Sequence, residues 1–225
     1  MSNNDNTDHY QSKNKRKQRR KELIKNDIIS VAEKYFLNAD FDDVMIDQLV
    51  TISGYSKATI YNYFNSKEEI FLGIFIRAFD ALIETFQNFS FETGLLSLGQ
   101  GYLLFVDNYP HYAKLFSSHQ IKKFTNTLHS KELNHEDLND LEKNFREKQM
   151  VIASIMTNVI NQSFQGLDSK PSVDPMTLII ILSYLNSTIM DLILIDQEQG
   201  KSHSPDSHVS VLFQLLAKGL RYFET

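Results

Sequence analysis

The chain has no cysteine and no tryptophan, and only eight glycines among 225 residues. Without cysteine there is no disulfide and no thiolate metal site, and a reducing compartment suits it. With so little glycine there is no Gly-rich phosphate cradle, and Ser53-Gly54 is not the elbow of a nucleophilic serine. The histidines are His9, His111, His119, His129, His135, His203 and His208. None makes H-x-x-x-H, and no carboxylate stands beside them at metal-ligand spacing. No catalytic set, metal or cofactor is therefore expected, and the chain reads as something other than an enzyme. The first residues, MSNNDNTDHY, have no apolar core like that of a secretion signal. Strand-like alternation and internal repeats are also missing.

Apolar residues make up 42% and charged residues 23%, an ordinary globular balance with enough chain for a sizeable core. Residues 176–195 are mostly apolar, long enough to span a bilayer. Ser183, Asn186, Ser187, Thr188 and Asp191 interrupt them, and the flanks lack Trp or a basic cluster. A helix apolar nearly all round is then one buried in protein, and no membrane partner is expected.

Net charge is −5. Its distribution says more than its sum. Between Gln11 and Lys34 stand nine basic residues, Lys13, Lys15, Arg16, Lys17, Arg19, Arg20, Lys21, Lys25 and Lys34, against the acids Glu22, Asp27 and Glu33. That segment carries +6 and leaves −11 for the rest of the chain, whose total is −5. Residues 1–20 lack apolar periodicity and read as a flexible basic arm, which on an acidic body can orient the protein on DNA by its field; the plain alternative is a solvated tail.

The most informative stretch is Ile46 to Glu69, IDQLVTISGYSKATIYNYFNSKEE. Ile46, Leu49 and Val50 start a short helix. Ser53-Gly54 gives a turn with a left-handed residue. Ser56 caps a second helix, running to about Phe64. Ser66, three residues before Glu69, is a capping box that opens a third. Two short helices on a glycine turn form a helix-turn-helix, whose second helix enters the major groove of DNA. Ile60 and Phe64, four apart, share the core face. Ser56, Lys57, Ala58, Thr59, Tyr61, Asn62, Tyr63 and Lys67 are the candidate DNA-contacting residues. Asn62 can pair with adenine and Lys57 with guanine.

The run from Gly54 to Ile70 closely resembles the tetracycline-repressor (TetR) family, whose usual wording is A-G-V-S-x-G-T-x-Y-x-H/Y-F-x-S-K-E-x-L. The resemblance covers about residues 22–82. It implies a three-helix DNA-binding head, a helical body that senses a ligand and dimerises, and phosphate contacts from the Tyr61 hydroxyl and from Lys67. The chain departs from the family in several places. Ala58 stands where glycine is common, Tyr55 replaces a small aliphatic residue, and Asp40 replaces the glycine before an aromatic. Val44-Met45 takes the place of a Thr or Ser cap, so Asp43 is expected to cap the next helix instead.

The expectation is an all-α protein of about nine helices: the arm 1–20, a head at 21–82 with the helix-turn-helix at about 45–64, and an effector-binding and dimerisation body at 83–225. In the body, Tyr102, Phe105, Tyr109, Tyr112, Phe116, Met156, Tyr184 and Asn186 are candidates for an apolar effector pocket, with Asn158 and Asn161 as further polar groups. For any one aromatic here, core packing is the plainer reading. The last two helices, about 175–196 and 208–223, are the expected homodimer surface. Its two-fold axis would set two recognition helices about 34–36 Å apart, or a multiple, on a palindromic double-stranded operator. The function expected is a cytoplasmic, ligand-responsive transcriptional regulator, a repressor released by a small apolar or amphipathic effector. The alternative is a small-molecule binding protein with a vestigial head.

Overall fold

The computed structural model describes residues 4–36, 39, 41–117, 119–133, 137–163, 175–201 and 203–221. Among these there are ten α-helices, one 3₁₀ turn and no strand. The chain divides into two compact units, Met1–Ile74 and Phe75–Thr225.

The first unit begins with α1, Asn4–Phe36. The start differs from the expected arm over residues 1–20. Lys, Arg, Gln and Glu are good helix formers, and they dominate residues 11–22. Among the described side chains of α1 the buried stripe starts at Ile28 and is formed by Ile28, Ile29, Ala32 and Phe36. Phe41 opens a 3₁₀ turn, Phe41–Asp43, and is buried between two rings. Its centroid lies 5.8 Å from that of Phe36 and 4.8 Å from that of Phe71. Phe41 thus plugs the core of the first unit. Asp40, which stands in place of the resembled family's glycine, lies outside the described residues.

Next come α2, Ile46–Ser53, α3, Lys57–Tyr63, and the start of α4, Lys67–Gln87. The N-cap of α2 is Met45, not Asp43, which belongs to the 3₁₀ turn. The cap works without a hydroxyl because the Gln48 side chain reaches back, accepting from the Met45 N–H at 2.8 Å. This is one half of a capping box. Gly73 lets α4 approach α1: a Cβ there would lie 2.7 Å from Ile29 Cδ1.

The second unit holds the rest of α4 and six further helices. They are α5, Leu95–Asn108; α6, Pro110–Ser117; α7, His119–Leu133; α8, Asp140–Ser163; α9, Pro175–Glu198; and α10, His208–Arg221. Pro110 takes the first helical position of α6, where its missing N–H costs nothing. α7 occupies a stretch too polar to place from periodicity. Residues 164–174, between α8 and α9, lie outside the described residues. Among the described residues, no helix is long and apolar enough to cross a membrane.

α10 packs on α5 through a glycine. A Cβ on Gly99 would sit 2.7 Å from Phe213 Cδ2, so the ring lies directly on the α5 backbone. The α9–α10 corner is set by Asp196, which is wholly buried. Its carboxylate accepts from the N–H groups of His208 at 3.0 Å and Val209 at 3.2 Å, and contacts His208 Nδ1 at 2.6 Å. A carboxylate at the positive end of α10 is favourably placed.

Candidate nucleic-acid interface

The geometry of the head follows from three local devices. Gly54 has φ 71°, and its N–H closes α2 on the Val50 carbonyl. A non-glycine residue strains in that region. Ser56 caps α3, its hydroxyl accepting from the Thr59 N–H at 3.0 Å and lying 2.8 Å from the Thr59 hydroxyl. Then the chain breaks at Phe64 and restarts. Ser66 Oγ accepts from the Glu69 N–H at 3.3 Å. The Glu69 carboxylate returns to Asn65, accepting from its N–H at 2.7 Å and its side-chain amide at 2.8 Å. The capping box is thus present, shifted one residue outward.

These devices orient α3. Ile60 and Phe64 are wholly buried, at 0% and 1% exposure. The opposite side carries Ser56, Lys57, Ala58, Tyr61 and Asn62, all exposed, with Thr59 and Tyr63 at its margins. A hydroxyl, an ammonium and a carboxamide on one solvent-facing side of a short helix are donors and acceptors suited to base edges and phosphate oxygens. Lys57 is held across the turn, its Nζ 2.8 Å from Asp47 on α2. That hydrogen bond and the charge of Asp47 raise the Lys57 pKa.

Lys67 does something the sequence did not suggest. Its Nζ donates to the carbonyl oxygens of Phe41 at 2.7 Å and Val44 at 3.0 Å. It also lies 4.2 Å from the centroid of the Phe41 ring. An ammonium has three N–H groups. Here two meet carbonyls and the charge rests on a π face.

Two contacts tie α1 to the turn and to α3. The Tyr55 hydroxyl donates to Asp27 Oδ2 at 2.7 Å, which raises the Tyr55 pKa. Lys25 Nζ lies 5.8 Å from the Phe64 ring centroid. The aromatic at position 55, a departure from the small residue of the resembled family, thus has a partner.

Residues 28–74 match the family model for bacterial regulatory proteins of the tetR family. The chain carries a tetR-family head, and is a DNA-binding transcription regulator. The matched segment runs from Ile28 of α1 through the start of α4 and contains the Gly54 turn, the Ser56 cap and the Ser66–Glu69 box, while Lys25 and Asp27 lie just before it. A crystal structure of the reduced form of E. coli NemR is similar to this chain at 16% identity, covering 87% of this chain and 96% of that one, with a TM-score of 0.41. No curated protein matches.

Beyond the tetR-type head, the body brings several of the expected pocket residues together. Tyr102 is wholly buried; its hydroxyl donates to the Asn186 side-chain oxygen and lies 3.5 Å from Met156 Sδ. Burial drives the Tyr102 pKa well above the ordinary tyrosine range. Phe105 continues the cluster, 5.8 Å from Phe116 and 5.7 Å from Tyr109 between centroids, and Tyr109 stacks on Tyr112 at 6.0 Å. Tyr184 stands apart. It is exposed, and its hydroxyl accepts from the Asn126 amide at 3.2 Å. Asn158 and Asn161 are exposed as well. Asp191, also on α9, accepts from the Ser117 hydroxyl. Sequence reasoning missed a second buried polar chain: Arg146 Nη1 donates to Gln149 Oε1 at 3.1 Å, and Gln149 Nε2 to Thr125 Oγ1 at 3.0 Å. Among the described residues no cluster of His, Asp and Glu could hold a metal ion.

Proposed function

We propose that the protein binds a palindromic operator as a homodimer and represses transcription until a small apolar or amphipathic effector releases it. The observation that carries this reading is the two-sided character of α3. Ile60 and Phe64 anchor it, while Lys57, Tyr61 and Asn62 stand free of the core to meet DNA. In this reading Asn62 and Lys57 read bases, and Tyr61 sets register on phosphate.

Dimerisation through α9 and α10 is supported by apolar side chains left in solvent there. Ile195, Val211 and Leu215 are exposed, while Val209 and Phe213 of the same α10 are buried within the protomer. A helix apolar on both sides has a second surface to cover. The effector reading is supported by the Tyr102–Asn186 pair, two polar groups among rings, which an amphipathic ligand could engage by exchanging one hydrogen bond for another. Release then requires that the effector bind one conformation of the dimer more tightly than the other.

Gel-shift titration of the full-length protein on DNA upstream of its own gene and its neighbours tests the reading. A salt-resistant, sequence-specific complex weakened by Asn62→Ala is the expected result. Binding that is equally weak on every sequence would overturn it.

A further inference from the structure

From Lys13 to Lys21 the chain has seven basic residues and no acidic one, so this short piece carries +7 while the rest of the chain carries −12 of a total of −5. All nine side chains are exposed. They lie on α1, in one helix with the residues that pack into the head. At 1.5 Å and 100° per residue the segment is about 12 Å long, and its cations cover an arc of about 240°. Asn14, Gln18 and Glu22 fill the remaining strip, where the Gln18 amide donates to Glu22 Oε1 at 3.2 Å.

Three observations give this segment a partner. The first is placement. Lys13, Lys17 and Lys21 prolong the face that carries Ile24 and Ile28 further along α1, so the side that packs on the head becomes a cationic side overhanging it. The nearest packed part of α1 touches both ends of the recognition element: Asp27 holds Tyr55, just before the α3 cap, and Lys25 covers Phe64, the α3 C-cap. The segment therefore leaves the head beside α3. The second is self-repulsion. Lys13 and Lys17, Lys15 and Arg19, Arg16 and Arg20, and Lys17 and Lys21 are each four residues apart, so like charges face one another on the helix. A polyanion relieves that. The third is the charge of the remaining head. Residues 35–74 hold Lys57 and Lys67 against Asp40, Asp42, Asp43, Asp47, Glu68 and Glu69, a net −4. Lys57 is paired with Asp47 and Lys67 with two carbonyls. A surface of that sign repels DNA unless another element of the head supplies the attraction.

We propose that Lys13–Lys21 is a second DNA-binding element, a cationic helix that docks on the sugar–phosphate backbone flanking the half-site met by α3. It rests on the reading of α3 as the groove-entering helix. Its contribution is independent of sequence and acts by releasing counterions.

The test is a salt titration of the full-length protein and of one variant, Lys13→Gln/Lys15→Gln/Arg16→Gln/Arg19→Gln/Arg20→Gln. Glutamine keeps the helix propensity. The probe is a duplex that the full-length protein selects from a random library, with long flanks and again trimmed to the selected site. On long flanks the plot of log affinity against log salt should be shallower for the variant by roughly 4, at about 0.9 per lost phosphate contact, with a loss on the order of 100-fold at low salt. Trimming should erase most of that difference, and both proteins should still prefer the selected sequence. Equal slopes on long flanks, with selection intact, would overturn this proposal alone. Failure of the wild type to select any sequence would remove the α3 reading and this proposal with it. Phosphatidylglycerol vesicles are the control: if the variant stops co-sedimenting with them while its DNA slope is unchanged, the segment is a membrane-surface element and the proposal is overturned.

Discussion

Lys67 holds Phe41 twice: its Nζ donates to the Phe41 carbonyl at 2.7 Å, and the same ammonium lies 4.2 Å from the centroid of the Phe41 ring. Phe41 is also the ring that wedges between Phe36 and Phe71. One side chain at the start of α4 thus fixes both the plug of the head's core and the carbonyl of Val44, next to the α2 cap. The resembled family places a phosphate contact at this lysine. In this chain two of its three N–H groups are used within the head.

The consequence is measurable. Lys67→Met keeps the apolar stem and removes the charged donors. Hydrogen bonds from a charged group contribute about 1.5–3 kcal/mol each, so with two of them lost urea denaturation should show a loss of roughly 3–6 kcal/mol. The slope of log affinity against log salt on DNA should stay within about 0.5 of the wild type. A slope reduced by a full contact, with little loss of stability, would return Lys67 to phosphate.

Gly54 separates backbone strain from crowding. Its φ is 71°, and a Cβ built there would meet nothing within 4 Å. Gly54→Ala should therefore cost about 1–2 kcal/mol through the left-handed conformation alone. Gly54→Asn should cost less, since asparagine tolerates that region. Thermal melts of the two variants decide it; equal losses would mean that the turn shifts rather than strains.

The Tyr102–Asn186 pair gives a stability test and a pH test. Tyr102→Phe strands the Asn186 oxygen in the core and should cost about 1–3 kcal/mol, whereas Tyr102→Phe with Asn186→Leu should recover much of it. Burial raises the Tyr102 pKa in the folded state. An unfolded tyrosine ionises near pH 10. Below that value both states are neutral and the contribution is fully present. Above it only the unfolded chain gains by ionising, so stability falls as pH rises. In an alkaline pH jump followed at the tyrosinate band, Tyr102 should ionise only as the body unfolds, an increment absent from Tyr102→Phe. Immediate ionisation of all tyrosines would show that the site is open to water.

Why the head was legible and the body less so is a matter of range. The α2–α3 turn is encoded by neighbours: Gly54 for the left-handed residue, Ser56 three residues before its acceptor-bound N–H at Thr59, and Ser66 three before Glu69. Alternation of buried and exposed residues along α3 needs only the helical repeat. The Met45 cap was missed because its partner is a glutamine side chain, which carries no hydroxyl signal. The contacts of Lys67 within the head were not legible because its acceptors, at Phe41 and Val44, are main-chain carbonyls more than twenty residues away. No pattern in residue types marks a carbonyl. The helical run before Ile24 lacked apolar periodicity, the signal on which the eye relies, although its propensities were favourable. In the body, Tyr102 and Asn186 are 84 residues apart. Each could be recognised as a polar group needing a partner, but only tertiary packing chooses which.

The exposed side of α10 carries the last prediction. Leu215 is 63% exposed and Val211 41%, one turn apart on the same face. Phe213 and Val209, on the other face, are buried against the protomer's own core. Charge placed on the outer face should therefore spare the protomer and attack only what covers that face. Leu215→Glu sets a carboxylate there, and in a symmetric two-fold contact the substitution enters twice, facing its own copy or the copy's apolar neighbours. Sedimentation equilibrium should show a shift from dimer to monomer, while far-ultraviolet circular dichroism keeps the helical content. DNA affinity should fall far more than the stability of the protomer does, because each monomer then reaches only one half-site. A Leu215→Glu protein that remains dimeric would move the subunit interface away from α10.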